Sequence, residues 1–266
     1  TGGHHAAGVR GVEDILMITI KSTHELKIMQ KAGQISQAAL LAAGGLVAPG
    51  VTTRELDEAA RKVIKKAGAT PAFLGYNGFP AAICCSINDE VIHGIPGSRK
   101  IKEGDIVSID TGAVYQGYYG DNAATFGAGK ISEEAQKLID VTRQSFYEGI
   151  KFARKGQRIS DISHAVAAYC ESRGYGVVRE YVGHGIGTKM HEEPEVPNFG
   201  APGHGPRLVP GMTLAIEPMI TAGGWQVKVL PDGWTVKTAD GSLAAHFEHT
   251  IVITEGEPII LTSVGG

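Results

Sequence analysis

Cysteine is scarce in this chain, with three in 266 residues: Cys84, Cys85 and Cys170. An odd number with two adjacent is a poor disulfide framework and fits a reducing compartment, so a cytoplasmic location is expected. Long apolar runs are also missing. No stretch approaches the ~20 residues that span a bilayer, and no membrane partner is expected. Charge of one sign is not in excess either. A formal net charge of −3 supplies neither the basic footprint of direct nucleic-acid binding nor a polybasic membrane patch. The sequence has no proline-rich linker, no serine nucleophile elbow, no HExxH zinc motif and no phosphate-binding loop. Gly183-His184-Gly185-Ile186-Gly187 lacks the spacing and following helix of a dinucleotide fingerprint. Apolar residues at 42% and charged residues at 20% are ordinary for a globular chain with a sizeable core.

Residues 1–16 stand apart, with a Gly-Gly-His-His run and no helical or strand period. They read as a tag remnant or loose N-terminal arm, which leaves 17–266 as a single catalytic domain. In that stretch one pattern is written twice. Ser22 to Glu25 is a capping box opening a helix to about residue 43, and Thr52 to Glu55 opens a second helix that Gly68 closes. A later helix pair is expected over about 132–154 and 160–173, the last with Ile162, Val166 and Tyr169 as its buried stripe and Gly174 as its stop. Gly50, Leu56 and Gly68 recur 106 residues on as Gly156, Ile162 and Gly174. The strand-like run Gly104 to Asp110 recurs 107 residues on as Gly211 to Glu217. A duplicated helix–helix–strand unit facing its copy would bring Asp110 and Glu217 toward one axis. The expectation is an α+β fold of two pseudo-symmetric halves around a curved, mostly antiparallel sheet.

The acids in these strands carry the chemistry. Residues 106–114 and 118–126 read as hairpin arms joined at Gln116-Gly117, which sets residue 112 opposite Asp121 and residue 110 two along on the same face. Asp110 and Asp121 are then diagonal neighbours ~7–8 Å apart at the backbone, close enough to hold one ion. A lone Asp is more commonly a turn or cap residue, but two poor strand formers pointing inward together need a reason. Glu217 ends an apolar run before Pro218, and Glu248 lies inside the β-rich run 245–253. A buried ion pair is the alternative for both, yet neither segment has Lys or Arg at hand. His184 and His191 share one glycine-rich loop, and His93 closes a strand beside a turn. Either could be an ordinary satisfied histidine, although carboxylates and imidazole together suit two divalent ions sharing oxygens. Cys84 and Cys85 read as packing residues of an apolar strand.

These residues, in this order, resemble type I methionine aminopeptidases of the pita-bread fold from about Met17 onward. The match is carried by Ser86-Ile87-Asn88, Val91 to Pro96, Ile109 to Gly112, Gly120-Asp121, Gly183 to Gly187, His191 to Pro194, Ile216 to Pro218 and Glu248 to Thr250. The resemblance implies two divalent metal ions (Co, Mn, Fe or Zn), with Asp110 on one, Asp121 and Glu248 bridging, and His184 and Glu217 completing the second site. It implies removal of the initiator methionine from peptides and nascent polypeptides, favouring a small second residue, by attack of a hydroxide held between the ions on the first peptide bond. Glu217 would also shuttle a proton, His93 would meet the scissile amide and His191 the developing oxyanion. Phe73, Tyr76, Phe79, Cys84, Met190 and Trp234 would line the methionine pocket, together with His93 and His191. Met190 departs from the aromatic residue often found there, which bears on fine specificity.

The ~30-residue gaps from His191 to Glu217 and from Glu217 to Glu248 leave no room for the helical insert of type II relatives. A monomer acting on emerging chains, with ribosome association, is the further expectation from the resemblance. The alternatives are an X-Pro aminopeptidase or prolidase, which would usually carry an extra N-terminal domain, and a non-catalytic pita-bread binding protein, which would have lost metal ligands.

Overall fold

Side-chain caps decide where the helices begin. The computed structural model describes residues 18–263, so the reading of residues 1–16 lies outside the described residues. Helix α1 (Thr23–Gly44) starts at Ser22 and α2 (Thr53–Lys66) at Thr52, each in a reciprocal capping box with Glu25 or Glu55. They lead into β1 (Thr70–Pro71), β2 (Ile83–Ile87), β3 (Glu90–Ile92), β4 (Ile106–Tyr115) and β5 (Tyr118–Gly127). The second half opens with α3 (Glu133–Ile150), α4 (Ile159–Glu171) and β6 (Gly176–Val177), followed by β7 (Gly183–Gly185) and β8 (Glu192–Val196). The chain continues through β9 (Thr213–Ile216), β10 (Met219–Thr221), β11 (Val227–Val229) and β12 (Val236–Thr238) to β13 (Ala244–His246), β14 (Glu248–Val252) and β15 (Ile259–Ile260).

The duplication is written in hydrogen bonds. Gly50 N–H donates to the Ile101 carbonyl at 2.8 Å, and its counterpart Gly156 N–H donates to the Leu208 carbonyl at 3.0 Å. The lone bridge between Thr52 and Lys100 recurs between Arg158 and Arg207. Gly50, Gly68 and Gly104 hold positive φ, as do Gly156, Gly174 and Gly211.

Two expectations need correction. Helix α3 ends at Ile150 rather than near residue 154, because Phe152 and Ala153 donate to the carbonyls of Gly149 and Ile150 in tight turns. In α4 the buried stripe runs through Cys170, while Tyr169 is half-buried with the Arg173 guanidinium 3.7 Å over its ring.

The main sheet runs β1-β4-β5-β14-β9-β7-β8, with β2 added on β4 and β15 on β14, all antiparallel. α1 and α2 pack with β2 and β4 around Leu56, Ile64, Ile83 and Ile109. Phe146 of α3 and Ile162 of α4 pack on Leu214, Ile216 and Ile251. Strand β5 pairs with β14, so the halves are joined across the centre. At that centre the run 245–253 is not one strand. It breaks at Phe247, just as the chain breaks at Glu217-Pro218 between β9 and β10. β9 and β14 belong to the main sheet, whereas β10 and β13 form a small sheet with β6. Two ribbons therefore pass together from one sheet to the other.

Candidate metal centre and substrate pocket

Gln116 and Gly117 both hold positive φ, at 48° and 83°, the geometry of a two-residue hairpin turn. The turn fixes the register: Gly112 faces Asp121, and Asp110 faces Ala123. A Cβ on Gly112 would come within 2.8 Å of Ala72 and 2.9 Å of the Phe73 ring. The missing side chain thus lets the pocket wall close on the hairpin. On the reverse face, Ser36 Oγ of α1 lies 2.8 Å from the Thr111 carbonyl and 2.6 Å from Asn122 Oδ1. This buried network holds the neighbours of both acids.

Glu217 and Glu248 enter from the sheet crossover. His184 enters from β7, whose glycines permit close approach: a Cβ on Gly183 would meet the Ala215 carbonyl at 2.3 Å, and one on Gly185 the Glu193 carbonyl at 2.2 Å. His184 Nε2 lies 3.5 Å from Glu217 Oε1 and 3.8 Å from Asp121 Oδ2. Asp121, His184 and Glu248 offer ligand atoms all within 4.8 Å of one another, and so do Glu217, His246 and Glu248. Asp110 lines the same cavity.

The electrostatics are those of a cation site. Burial raises the carboxyl of Asp110, with the charges of Asp121 and Glu217 adding to it. Burial also raises Glu217 and Glu248, again with help from Asp121, and pushes Asp121 up to about 7. Asp110 Oδ1, Asp121 Oδ1 and Glu248 Oε1 are buried with no hydrogen-bond partner among the described residues. Burial lowers His184 to about 3 and so keeps it neutral. Its Nδ1 lies 2.8 Å from the Gly185 carbonyl, which can only accept, so the proton sits on Nδ1 and Nε2 is bare. Four carboxylates and a bare imidazole nitrogen, with no Lys or Arg salt-bridged to them among the described residues, fit divalent cations.

A cavity of about 220 Å³ opens onto these groups. Its lining brings together every pocket residue expected from the sequence: Phe73, Tyr76, Phe79, Cys84, His93, Met190, His191 and Trp234. Cys84 lies directly opposite Asp110 across the β2–β4 pair, while Cys85 turns into the core under α1 and α2. Burial pushes the Cys85 thiol up to about 12, the state of a packing residue. His93 holds a left-handed φ of 61°, strained for a non-glycine residue. Gly94 fixes that turn by donating to Ser86 Oγ at 3.0 Å and lying flat against the Cys85 carbonyl. Tyr76 OH meets His191 Nδ1 at 2.8 Å.

Sequence reasoning missed Asn77, Ile92, Tyr181 and Val182 in the lining, and His246 beside Glu217. Tyr181 and Val182 directly precede Gly183-His184, and His246 is two residues from Glu248. Chain adjacency and strand period could have pointed to them.

The model of metallopeptidase family M24 matches residues 27–255. A methionine aminopeptidase of Clostridium perfringens is 54% identical over 248 residues, covering 93% of this chain and 100% of the relative. This chain belongs to the methionine aminopeptidases of metallopeptidase family M24. It is of the type I form, and only strands and loops separate His191 from Glu248 among the described residues. The crystal structure of a family member from Thermotoga maritima matches with a TM-score of 0.92 at 47% identity, covering 93% of this chain and 100% of that one. A prolidase from Pyrococcus furiosus matches with a TM-score of 0.73 at 25% identity, and only 69% of its chain is covered. The fold is the pita-bread fold, the protein is a hydrolase that uses divalent metal, and the X-Pro reading is not supported.

Proposed function

We propose that this enzyme removes the N-terminal methionine from peptides and nascent polypeptides, favouring a small second residue. The observation that carries the reading is the direct opening of the carboxylate–imidazole cluster onto a largely apolar cavity containing Cys84 and Met190. Aromatic and sulfur-bearing walls suit an unbranched thioether. Asp110, Asp121, His184, Glu217 and Glu248 hold two divalent ions of the Co, Mn, Fe or Zn type in this proposal. Divalent metal bound there supplies an acidified water and polarises the scissile carbonyl.

The chain's own groups do the rest. Phe73, Phe79 and Trp234 seat the methionine side chain and exclude water, with Phe79 and Trp234 edge to face at 5.0 Å. Glu217 takes and returns the proton. His93, which burial lowers to about 4, contacts the scissile amide as a neutral imidazole. Tyr76 OH lies 2.8 Å from His191 Nδ1, and with the phenol as donor the imidazole keeps its proton on Nε2 for the developing oxyanion. Residues 17–266 act as one catalytic unit, and a monomer working in the cytoplasm near the ribosome is part of the same proposal.

The test is methionine release from a Met-Ala-Ser peptide by metal-stripped protein, with and without Mn(II) or Co(II), beside an Ala-Pro peptide. Metal-dependent release of methionine alone is expected. Cleavage of only the proline peptide would overturn the substrate assignment, and no cleavage despite bound metal would overturn the catalytic one.

A further inference from the structure

His246 is a buried imidazole to which the scheme above gives no role, and it is 1% exposed. Its backbone is clamped. The N–H donates to Thr125 Oγ1 at 3.0 Å and the carbonyl accepts from the same hydroxyl at 2.9 Å, while Ser108 Oγ sits 2.9 Å from that hydroxyl. The ring is thereby fixed with Nε2 3.4 Å from Glu217 Oε2 and 3.8 Å from Glu248 Oε2. Nε2 has no hydrogen-bond partner among the described residues.

The Glu217 carboxylate is therefore flanked by two imidazole nitrogens, His184 at Oε1 and His246 at Oε2. Their chemistry is opposite. The carbonyl at Nδ1 of His184 leaves its Nε2 as a bare lone pair, which is a ligand. The carboxylate oxygens around Nε2 of His246 are acceptors when ionised, and they favour the tautomer with the proton on Nε2, which is a donor.

We infer that His246 is a positioning residue. Its Nε2 faces Oε2 of Glu217 at 3.4 Å, and an N–H there, once metal ionises that carboxylate, would hold it with Oε1 turned toward the bare nitrogen of His184. The inference rests on the proposed role of Glu217 as ligand and proton carrier. Ligating carboxylates are commonly held by such outer donors, and losing one typically costs about 10–100-fold in metal affinity or activity.

The test uses the full chain with ¹⁵N-labelled histidine, metal-free and loaded with Zn(II). Long-range ¹H–¹⁵N spectra should show His246 protonated at Nε2 in the Zn(II)-loaded protein, and His184 with Nε2 bare in the metal-free state and then metal-bound. A bare or metal-bound Nε2 on His246 in the loaded protein would overturn the inference and make it a ligand. In parallel, His246→Leu should lower kcat by about 10–100-fold with KM little changed, and weaken Mn(II) binding. His246→Gln keeps an N–H donor and should recover most of that loss. Equal losses in both variants, or none, would also overturn it. If the Leu variant fails to fold, the spectra of the unsubstituted protein decide. If the unsubstituted protein neither binds Mn(II) nor releases methionine, the functional reading fails instead.

Discussion

At Asp110 a buried carboxyl has an unpartnered oxygen and like-charged neighbours in Asp121 and Glu217. Asp110→Ala or Glu248→Ala should abolish metal binding and turnover while the metal-free protein keeps or gains thermal stability, because a repulsion is removed. The stabilisation by bound metal, about 2.7 kcal/mol at a hundredfold excess over Kd, should vanish in the same melts. Full activity in either variant would refute the assignment. Proton counting gives a second check. Asp121 at about 7 means that metal-free protein is largely protonated there at pH 6. A cation requires the carboxylates, and burial raises all four acids, so metal loading should release protons at pH 6 and affinity should fall as pH drops. Titration calorimetry in buffers of different ionisation heat measures this, and absence of release at pH 6 would place the ions elsewhere. The acids were legible because Asp and Glu inside apolar runs demand a partner. His246 was not, because a lone histidine in a strand carries no such demand until its neighbours are known.

The hairpin of β4 and β5 shows what is legible in an element. Two strand-like arms and a Gln-Gly turn determined the register, and Asp121 does lie opposite Gly112. The consequence of that glycine appears only in three dimensions, since Ala72 and Phe73 come from a distant loop. Gly112→Ala should press on the Phe73 ring, raise KM severalfold and destabilise the protein by about 1–3 kcal/mol. Unchanged KM in a peptide assay would show that this wall does not contact the methionine side chain. The end of α3 and the break at Phe247 were illegible for a related reason. Turn hydrogen bonds around Gly149 and the exchange of sheets at Phe247 are set by neighbouring elements, not by local propensity.

For the whole molecule, spacing alone exposed the repeat, because glycines at helix exits must adopt positive φ in both copies. How the halves meet was not legible, since the β5–β14 pairing joins residues more than a hundred positions apart. That pairing predicts one cooperative unit. Calorimetric and van't Hoff enthalpies of unfolding should agree for the metal-free protein, and two resolved transitions would show that the halves melt separately.

The two ribbons that leave the main sheet at Glu217 and Glu248 have a geometric meaning. The acids lie on a crease, where both ribbons change from one sheet to the other. Ile92 and Tyr181 pack with Met219 and Ala244, while Phe73, Cys84 and Met190 form a separate cluster. Both groups line one cavity. The cavity therefore straddles the crease, with its lining drawn from two separate packing clusters.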